Sequence, residues 1–336
     1  MSLNPAVSII IHVSQGGENF RRCLSSLAEL SPAPLETIIV VNEDQGNSLE
    51  LAAQSKARIL TIPSAVGPGK ARNVGAGVAS GDILFFIDAD VMVSQDAVSR
   101  VASLFRDEKD LTAIFGSYDD SPLDKSFLSQ YKNLFHHYIH QSSHEEASTF
   151  WGGCGAVRRE AFFSAGGFSE KYLRPSIEDI ELGRCLKRAG HRIRLVKSLQ
   201  VKHLKRWDIV SLIQSDFFDR AIPWTELILR EKSFPNDLNL KISSRLSILL
   251  VYLILALSLG LFIFEPVSFP FIALPMIALF ILNLPLYNFF QKKRGLGFAL
   301  KAVFWHWFYY FYSGLAFLAE SIRYLFQRAC KNPLPL

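Results

Sequence analysis

Apolar residues in the first 205 positions occur in short runs, and the segments between the runs carry apolar residues at helical spacing. The runs predict strands and the segments predict helices, in alternation along the chain. The strand runs are VSIIIHV, ETIIVVN, ARILTIP and DILFFID, and the helical segments are FRRCLSSLAEL and GKARNVGAGVA. This alternation is typical of βαβ units, so we expect an α/β domain with a mostly parallel sheet. Such sheets bind ligands at the carboxyl ends of their strands.

After residue 240 the pattern changes to long uncharged runs. Residues 246–264 and 266–290 are each long enough to span a bilayer core, which needs about 20 residues. Lys241 and Arg245 precede this pair and further basic residues follow it. We therefore expect a hairpin with both open ends on the cytoplasmic side. Two buried helices of a soluble core are the alternative.

A third apolar stretch, residues 298–320, is rich in aromatic residues of the kind found at membrane interfaces. It predicts either a third span or a helix in the membrane plane, because a spanning helix would leave the basic C-terminus outside. The resulting layout has an α/β domain over residues 1–207, an amphipathic interfacial linker over 208–240 and a membrane domain over 241–336.

The amino-acid composition bears on membrane contact, on the class of partner and on the cellular location. The chain has 336 residues, of which 49% are hydrophobic and 27 are Phe, which indicates membrane contact. The net charge of +5 comes without a dense Lys/Arg block, so we expect no nucleic-acid partner. The 4 cysteines show no paired spacing, which argues against a disulfide framework and a zinc site. The N-terminal sequence lacks the features of a secretory signal, and this favours a cytoplasmic location for the α/β domain.

The stretch DILFFIDADVMVS leads from a buried strand directly into Asp88 and Asp90. Residues two apart in an extended segment point to the same face, so the two carboxylates converge. Like charges this close raise each other's pKa unless a cation lies between them, and a divalent ion with oxygen ligands is the obvious cation. The alternative is a polar strand end that caps the next helix.

Two further strand ends carry candidate ligand-binding residues. GPGKARN, which contains Lys70, lies between a strand and a helix, where backbone N–H groups can face a phosphate. An ordinary helix start with a solvated Lys70 explains the same sequence. Glu43 and Asp44 end the preceding strand, and we interpret them as contacts to a ribose or a base edge.

The segment from residue 174 to residue 207 contains candidate catalytic groups. Glu178 and Asp179 open an amphipathic helix, where acids are favourable to the helix dipole; in a functional reading one of them is a general base. HLKRW then sets Arg206, which can pair with phosphate oxygens, beside Trp207, which can stack on a sugar. A membrane-surface anchor is the alternative for this aromatic and basic segment.

A stripe of histidines, His136, His140 and His144, recurs every four residues on one face of a predicted helix. It is either a metal ladder or, as is more common for such stripes, a packing or acceptor-binding face. We assign the surrounding segment, residues 131–155, to acceptor recognition.

In chain order the motifs are VNED, GPGKARN, DAD, FWGGCGAVRR, GGF, IEDIELGRCL and HLKRW. This ordered set, over about residues 5 to 210, resembles the family 2 glycosyltransferases. The resemblance implies the nucleotide-sugar-binding GT-A fold, which is Rossmann-like, and an inverting transfer of the hexosyltransferase type. It also implies Mg²⁺ or Mn²⁺ as the cofactor and a nucleotide-diphosphate sugar as the donor.

The resemblance assigns roles to residues that match the family motifs. Asp44 would contact the nucleotide with Arg72 nearby, Asp90 would bind the metal with Asp88 assisting, and Asp179 would be the base. Arg206 would stabilise the departing diphosphate.

Two departures from the family pattern bear on the substrate. His203 stands where the (Q/R)xxRW motif of some membrane members has Gln or Arg, and His12 begins a segment that often reads Pro-x-Tyr-Asn. With only two or three membrane helices, we expect one sugar transfer to a lipid or lipid-linked acceptor at the membrane surface. A catalytically silent nucleotide-sugar-binding scaffold and a nucleotidyltransferase are the alternatives.

Overall fold

The computed structural model describes residues 4–43, 46–234, 236–263 and 270–331. The chain divides into two compact units, Met1–Trp207 and Asp208–Leu336. The first unit is an α/β domain and the second is entirely helical within the described ranges.

The first unit is built on one eight-stranded sheet in the order β3-β2-β1-β4-β7-β6-β8-β5. Strands β1 to β4 pair in parallel, and so do β6 and β8, whereas β7 runs antiparallel to β4 and β6 and β5 runs antiparallel to β8. The α/β prediction is confirmed, but the sheet is mixed rather than mostly parallel. The strands are β1 Val7–Val13, β2 Glu36–Asn42, β3 Arg58–Ile62, β4 Ile83–Asp88, β5 Val91–Val93, β6 Leu111–Tyr118, β7 Cys154–Arg158 and β8 Arg192–His203.

Seven helices accompany the sheet in the described part of this unit. The central strands are buried on both faces, which is why β1 and β4 read as continuous apolar runs rather than as alternating patterns. Gly75 lets its helix approach the sheet closely, because a Cβ there would lie 2.7 Å from Ile10. The helices are α1 Glu18–Ala28, α2 Ser48–Ala53, α3 Pro68–Val78, α4 Ala97–Asp107, α5 Phe127–Ser142, α6 Arg159–Ser164 and α7 Glu178–Arg188.

The second unit begins with a chain of short helices and continues with longer apolar ones. Its elements are α8 Ile209–Ile213, a π-helix Gln214–Ala221, α9 Ile222–Glu231, a 3₁₀ turn Leu238–Leu240, α10 Ile242–Ile263, α11 Pro270–Leu282, α12 Leu284–Arg294 and α13 Leu296–Lys331. Pro285 and Gly295 occur at the starts of α12 and α13, where breaks in a helix are expected.

Within the described ranges, α10 alone is a single helix long and apolar enough to cross a membrane. Its segment Ile242–Gly260 has a mean hydropathy of 2.1 and is 11% buried. The predicted second span, residues 266–290, is instead two helices, Phe271–Leu282 and Leu284–Arg294, bent by 61°, and counts as a span only if the bent pair is taken as one. The predicted turn between the two spans lies outside the described residues. Residues 298–320 are part of the longer helix α13.

Candidate active site

Strand β4 ends at Asp88, in the middle of the sheet, and the two neighbouring elements fix the backbone around it. The Asp88 N–H donates to the Gly153 carbonyl at 3.1 Å, and the Leu204 N–H donates to the Asp90 carbonyl at 2.9 Å. Asp88 and Asp90 are both half-buried. The two carboxylates predicted from DAD therefore stand at the carboxyl end of a buried central strand, held between β7 and the end of β8.

Arg72 joins the end of β4 to the start of α7. Its guanidinium donates to Asp88 Oδ1 at 2.7 Å and to Glu178 Oε1 at 3.0 Å. The arginine and Glu178 side chains are 9% and 4% exposed, whereas Asp88 is 30% exposed. Burial alone would lower the pKa of Arg72, but Asp88, Glu178 and Asp179 together raise it above its usual value. Arg72 is thus a fixed positive charge that links three carboxylates.

Asp179 is held by backbone N–H groups. The Gly152 N–H donates to Oδ2 at 3.0 Å and the Ile180 N–H donates to Oδ1 at 2.8 Å. Gly152 lies beside both side chains: a Cβ there would be 3.6 Å from Asp179 Cβ and from Arg72 Cζ, which is ordinary van der Waals contact. Donors of this kind favour the ionised carboxylate. The segment FWGGCG thus contacts the start of α7.

His203, the departure from the family motif, faces Asp90. Its Nε2 lies 3.5 Å from Asp90 Oδ2, and its ring stacks on Tyr118 with centroids 4.2 Å apart. The other ring nitrogen, Nδ1, bonds Asn133 Oδ1. The Asn133 amide group donates to Ser129, so Oδ1 is the acceptor and Nδ1 carries the proton. Nε2 is therefore the nitrogen that faces the carboxylate.

The pKa of Asp90 reflects this pairing. Burial raises it, but His203, when Nε2 is also protonated, and Lys205 together outweigh burial and hold it below its usual range; a cation bound at Nε2 would take the place of that proton. A carboxylate and an Nε2 nitrogen within 3.5 Å of each other are donor groups that fit a divalent cation, with Asp88 nearby on the same strand end. Over the described ranges, no three His, Cys, Asp or Glu side chains gather at metal-binding spacing.

The glycine-rich segment has a packing role that the sequence did not suggest. A Cβ at Gly67 would lie 1.9 Å from the Tyr172 carbonyl, and one at Gly69 would lie 2.4 Å from the Ser169 carbonyl. Both glycines therefore let the segment after Gly167 cross the start of α3. Lys70 lies 3.8 Å from Glu170, and both side chains are half-exposed. This arrangement favours the helix-start alternative for GPGKARN.

The end of β2 carries the predicted nucleotide contacts only in part. Glu43 is exposed and its N–H donates to the Ile62 carbonyl at 2.8 Å, whereas Asp44 lies outside the described residues. His12, on the adjacent strand, pairs in register with Asp88 and bonds Asn42 Oδ1 at 2.6 Å. Burial lowers its pKa to about 4, so the ring is neutral. Sequence reasoning treated His12 as a departure only, although its position at the end of β1 was the signal for a site residue.

The neighbouring side chains of Arg206 and Trp207 differ in exposure to solvent. Arg206 is exposed, whereas Trp207 is buried and its backbone N–H donates to Ser129 Oγ at 2.8 Å. The Lys205 ammonium lies 4.1 Å from a Trp207 ring centroid. The indole is therefore a packing element between α5 and the end of β8, and the predicted role in stacking on a sugar finds no support in this position.

The histidine stripe is part of an aromatic cluster. His137 and His140 each donate from Nδ1 to a carbonyl of β6, at 2.7 Å to Tyr118 and 3.1 Å to Gly116. The His136 ring packs on Tyr118 and on Trp151 with centroids 4.7 and 5.2 Å apart. Packing, rather than a metal ladder, accounts for His136 and His140. The predicted three-residue stripe on one helix face is wrong, because α5 ends at Ser142 and His144 lies beyond it, exposed. Tyr118 connects this cluster to His203.

Residues 8–163 match the model of the family described as Glycosyl transferase family 2. The matched segment, slightly less than half of the chain, is similar to a family 2 glycosyltransferase domain. It includes both carboxylates of DAD and Arg72, whereas Glu178, Asp179 and His203 follow it. The family resemblance drawn from the motifs is confirmed at this level.

Two curated relatives carry glycosyltransferase names. The chain is 34% identical over 94 residues to the uncharacterized glycosyltransferase YibD of Escherichia coli, which covers 27% of each chain. It is 26% identical over 175 residues to an N-acetylglucosaminyltransferase of Rhizobium meliloti, which covers 48% of this chain and 41% of the relative. The chain thus matches less than half the length of either relative.

A solved structure has the same fold. The mannosyltransferase PcManGT from Pyrobaculum calidifontis, in complex with GDP-Man and Mn²⁺, superposes with a TM-score of 0.59 at 15% identity. The match covers 90% of this chain and 87% of that one. The predicted GT-A fold is confirmed by this likeness.

Proposed function

We propose that this protein is a membrane-anchored, inverting glycosyltransferase. It moves one sugar from a nucleotide-diphosphate sugar to a lipid or lipid-linked glycan at the cytoplasmic face of the membrane. The observation that carries the proposal is the bridge from Asp88 through Arg72 to Glu178, which brings the strand-end carboxylates and Asp179 into one site. The family match and the donor named for the solved relative support it.

The donor half of the site would lie at the ends of β1, β2 and β4. His12 and Glu43 would be at the nucleotide end, where Asp44 would also contact the nucleotide, and Arg72 and Lys70 would be on the phosphate side. Asp90 and His203 would hold Mg²⁺ or Mn²⁺ with Asp88 assisting, and the ion would supply positive charge for the diphosphate. Arg206, which is exposed, would add a further cation for the leaving group.

The acceptor half would be organised around Asp179. Its carboxylate would take the proton from the acceptor hydroxyl as that oxygen attacks the anomeric carbon. The N–H groups of Gly152 and Ile180 hold the carboxylate in place, so it would be oriented to act as the base. One displacement of this kind inverts the anomeric centre.

Glu178 would act through Arg72 rather than on a substrate. Its Oε1 accepts from Arg72, and its Oε2 accepts from the Ser176 N–H at 2.9 Å. It would therefore be a positioning residue, which sets the guanidinium between the donor carboxylates and the base. This role differs from a simple helix cap.

The lipid acceptor and the anchoring are supported by the second unit. The segment Ile242–Gly260 is apolar, long enough to cross a bilayer, and only 11% buried. Large exposed apolar side chains continue along α11 and α13, including Leu274 and Phe304 at 71% and 75% exposure. Surfaces of this extent mark contact with lipid or another apolar partner.

Product analysis tests the proposal. The full-length protein in detergent is incubated with Mn²⁺, a panel of nucleotide sugars and a polyprenyl-phosphate or glycolipid acceptor. We expect a glycosylated lipid and free nucleoside diphosphate from one donor, and loss of both products in Asp179→Asn. Release of pyrophosphate would identify a nucleotidyltransferase, and binding without turnover would identify a scaffold.

A further inference from the structure

Helices α10 and α11 form an antiparallel pair with a polar group at one end. Val251 packs against Leu279, and the Asn283 amide group donates to Ser247 Oγ at 2.9 Å. The contact nearer the start of α10 is made by the residue farther along the chain after α11, so the two helices are antiparallel. The end with Asn283 is the end near Arg245, where the uncharged stretch of α10 begins.

Helices α12 and α13 form a second antiparallel pair that leaves the first at this same end. Phe290 packs on Phe298 with centroids 5.7 Å apart, and the Tyr287 hydroxyl bonds His306 Nδ1 at 3.2 Å. The Tyr310 hydroxyl donates to Asn283 Oδ1 at 2.8 Å. Because α12 is bent by 61° from α11, this second pair is strongly inclined to the first.

The junction Ser247–Asn283–Tyr310 fixes the depth of α13 in the membrane. If α13 spanned, Tyr310 would lie near the bilayer centre, since the uncharged stretch 302–319 is centred on it. Val251, which packs with Tyr310, and Ser247 would then also lie near the centre, and Arg245 would be only about 3 to 9 Å from it along the helix axis. A charge at that depth is expensive, so a spanning α13 conflicts with the hydrogen bonds of the junction.

The second half of α13 carries contacts that suit an interface rather than hydrocarbon. The Tyr312 hydroxyl donates to Asp216 of the π-helix at 2.9 Å. Arg323 bonds Glu320 and, at 3.1 Å, Glu226 of α9. Ionised groups at membrane depth are rare, so these helices belong at the polar boundary of the bilayer.

The outer face of α13 is apolar and its flanks are basic. Six exposed apolar residues form a stripe along one face of α13, spaced by three or four residues except for one gap of seven. They are Leu296, Leu300, Phe304, Phe308, Leu315 and Leu318. Lys292, Lys293 and Lys301 are exposed beside its start. An apolar stripe flanked by lysines is the pattern of a helix that lies in the interface of an anionic bilayer.

We propose that α12 and α13 lie along the surface of an anionic phospholipid bilayer, with the stripe in the headgroup and acyl boundary and the lysines on lipid phosphates. Neither helix crosses, so both ends of α13 are on the face that carries Arg245. The inference deepens the proposed function, because it rests on the anchoring of the second unit by α10 and α11.

Single cysteines report the depth of each helix. Cys185→Ser and Cys330→Ser leave Cys23 and Cys154, which are both buried, as the remaining thiols. Leu274→Cys on α11 and Phe304→Cys on α13 introduce matched labels at exposed apolar positions. The spin-labelled full-length protein is reconstituted in phosphatidylcholine vesicles with and without phosphatidylglycerol. We expect the Leu274 label to be several-fold less accessible to a water-soluble relaxation agent than the Phe304 label, with oxygen accessible to both.

The anionic lipid provides a second readout. Phosphatidylglycerol should draw the Phe304 label deeper, and Lys292→Gln with Lys293→Gln should remove most of that shift. A Phe304 label as deep as the Leu274 label, or one wholly in water, would overturn the surface position. A shift that does not depend on phosphatidylglycerol would overturn the contact with anionic lipid.

The side of the membrane on which each end of α13 is labelled shows whether the helix lies on the surface or crosses the bilayer. In membrane vesicles of defined orientation, an impermeant maleimide should reach Lys293→Cys and Gln327→Cys from the same side. Labelling from opposite sides means that α13 crosses, and the inference fails while the anchoring stands. A water-accessible Leu274 label means that the anchoring itself fails, which is a separate result.

Discussion

Two buried polar networks, the one at the end of β4 and the one at the junction of α10, α11 and α13, differ in charge. At the end of β4, Arg72 is shared between Asp88 and Glu178. At the junction in the second unit, Ser247, Asn283 and Tyr310 are all neutral. Buried ions are costly unless paired, and at the end of β4 the Arg72 guanidinium is paired with both carboxylates. At the junction, hydrogen bonds between neutral side chains satisfy the buried polar groups without burying a charge.

The largest effect is expected from the base. Asp179→Asn should lower sugar transfer by at least about 100-fold, because an amide of the same shape cannot accept the proton and general-base catalysis is typically worth 10²–10⁴-fold. Turnover at saturating donor measures it, and titration with a nucleoside diphosphate should give a nearly unchanged affinity. Turnover close to that of the unmodified protein would exclude Asp179 as the base.

Glu178→Gln is the companion variant. It keeps the side-chain volume and one acceptor for Arg72 but removes a charge, so turnover should fall less than in Asp179→Asn, and the donor KM should rise. A larger loss of turnover in Glu178→Gln than in Asp179→Asn would reverse the two assignments.

The second-largest effect is expected from removing Arg72, the guanidinium that Asp88 and Glu178 share. Arg72→Met leaves the buried Glu178 carboxylate without its cationic partner, and breaking a buried ion pair costs about 3 kcal/mol or more of unfolding free energy. Thermal unfolding measures it. Arg22→Met is a matched control, because Arg22 pairs with Glu18 at 2.9 Å on the surface and such pairs contribute about 1 kcal/mol or less.

A second substitution tests whether the charge imbalance is the cause. Adding Glu178→Gln to Arg72→Met should recover part of the lost stability, because the uncompensated carboxylate is gone. If the double variant is less stable than Arg72→Met by the full effect of Glu178→Gln, the two side chains do not interact energetically.

The third-largest effect is expected from the two proposed ligands of the divalent metal ion, Asp90 and His203. Asp90→Ala should reduce the Mn²⁺-dependent gain in nucleoside diphosphate affinity by at least about tenfold, and His203→Ala should act in the same direction. Calorimetric titration with and without Mn²⁺ measures the gain, and His144→Ala, which changes an exposed histidine beyond the end of α5, is the control. A gain that survives in both site variants would refute the assignment of these two ligands.

Strand ends were predictable from the sequence, but the contacts between distant segments were not. The alternation of runs identified β1 to β4 and the position of Asp88, because local periodicity determines both. The insertion of β7 antiparallel between β4 and β6 depends on long-range pairing, which leaves no periodic signal. The same holds for Gly67, whose role depends on a segment more than a hundred residues away.

The membrane unit shows the same limit. Hydropathy identified α10, but a run of apolar residues gives no angle, so the bend at Asn283 was not predictable from the run 266–290. The polar residue inside that run was the signal that was missed. In an apolar segment, an amide needs a partner, and its partners come from two other helices.

The smallest effect is expected at the neutral junction. Asn283→Leu keeps the volume but removes the bonds to Ser247 and Tyr310, and interhelical hydrogen bonds of this kind contribute about 1 kcal/mol. Unfolding in mixed micelles measures the change, with Asn288→Leu, at an exposed position of α12, as the control. The loss should stay well below that of Arg72→Met, because no charge is left uncompensated. An equal loss in the two variants would mean that the neutral network holds its unit together as strongly as the charged one, and the contrast between the units would fail.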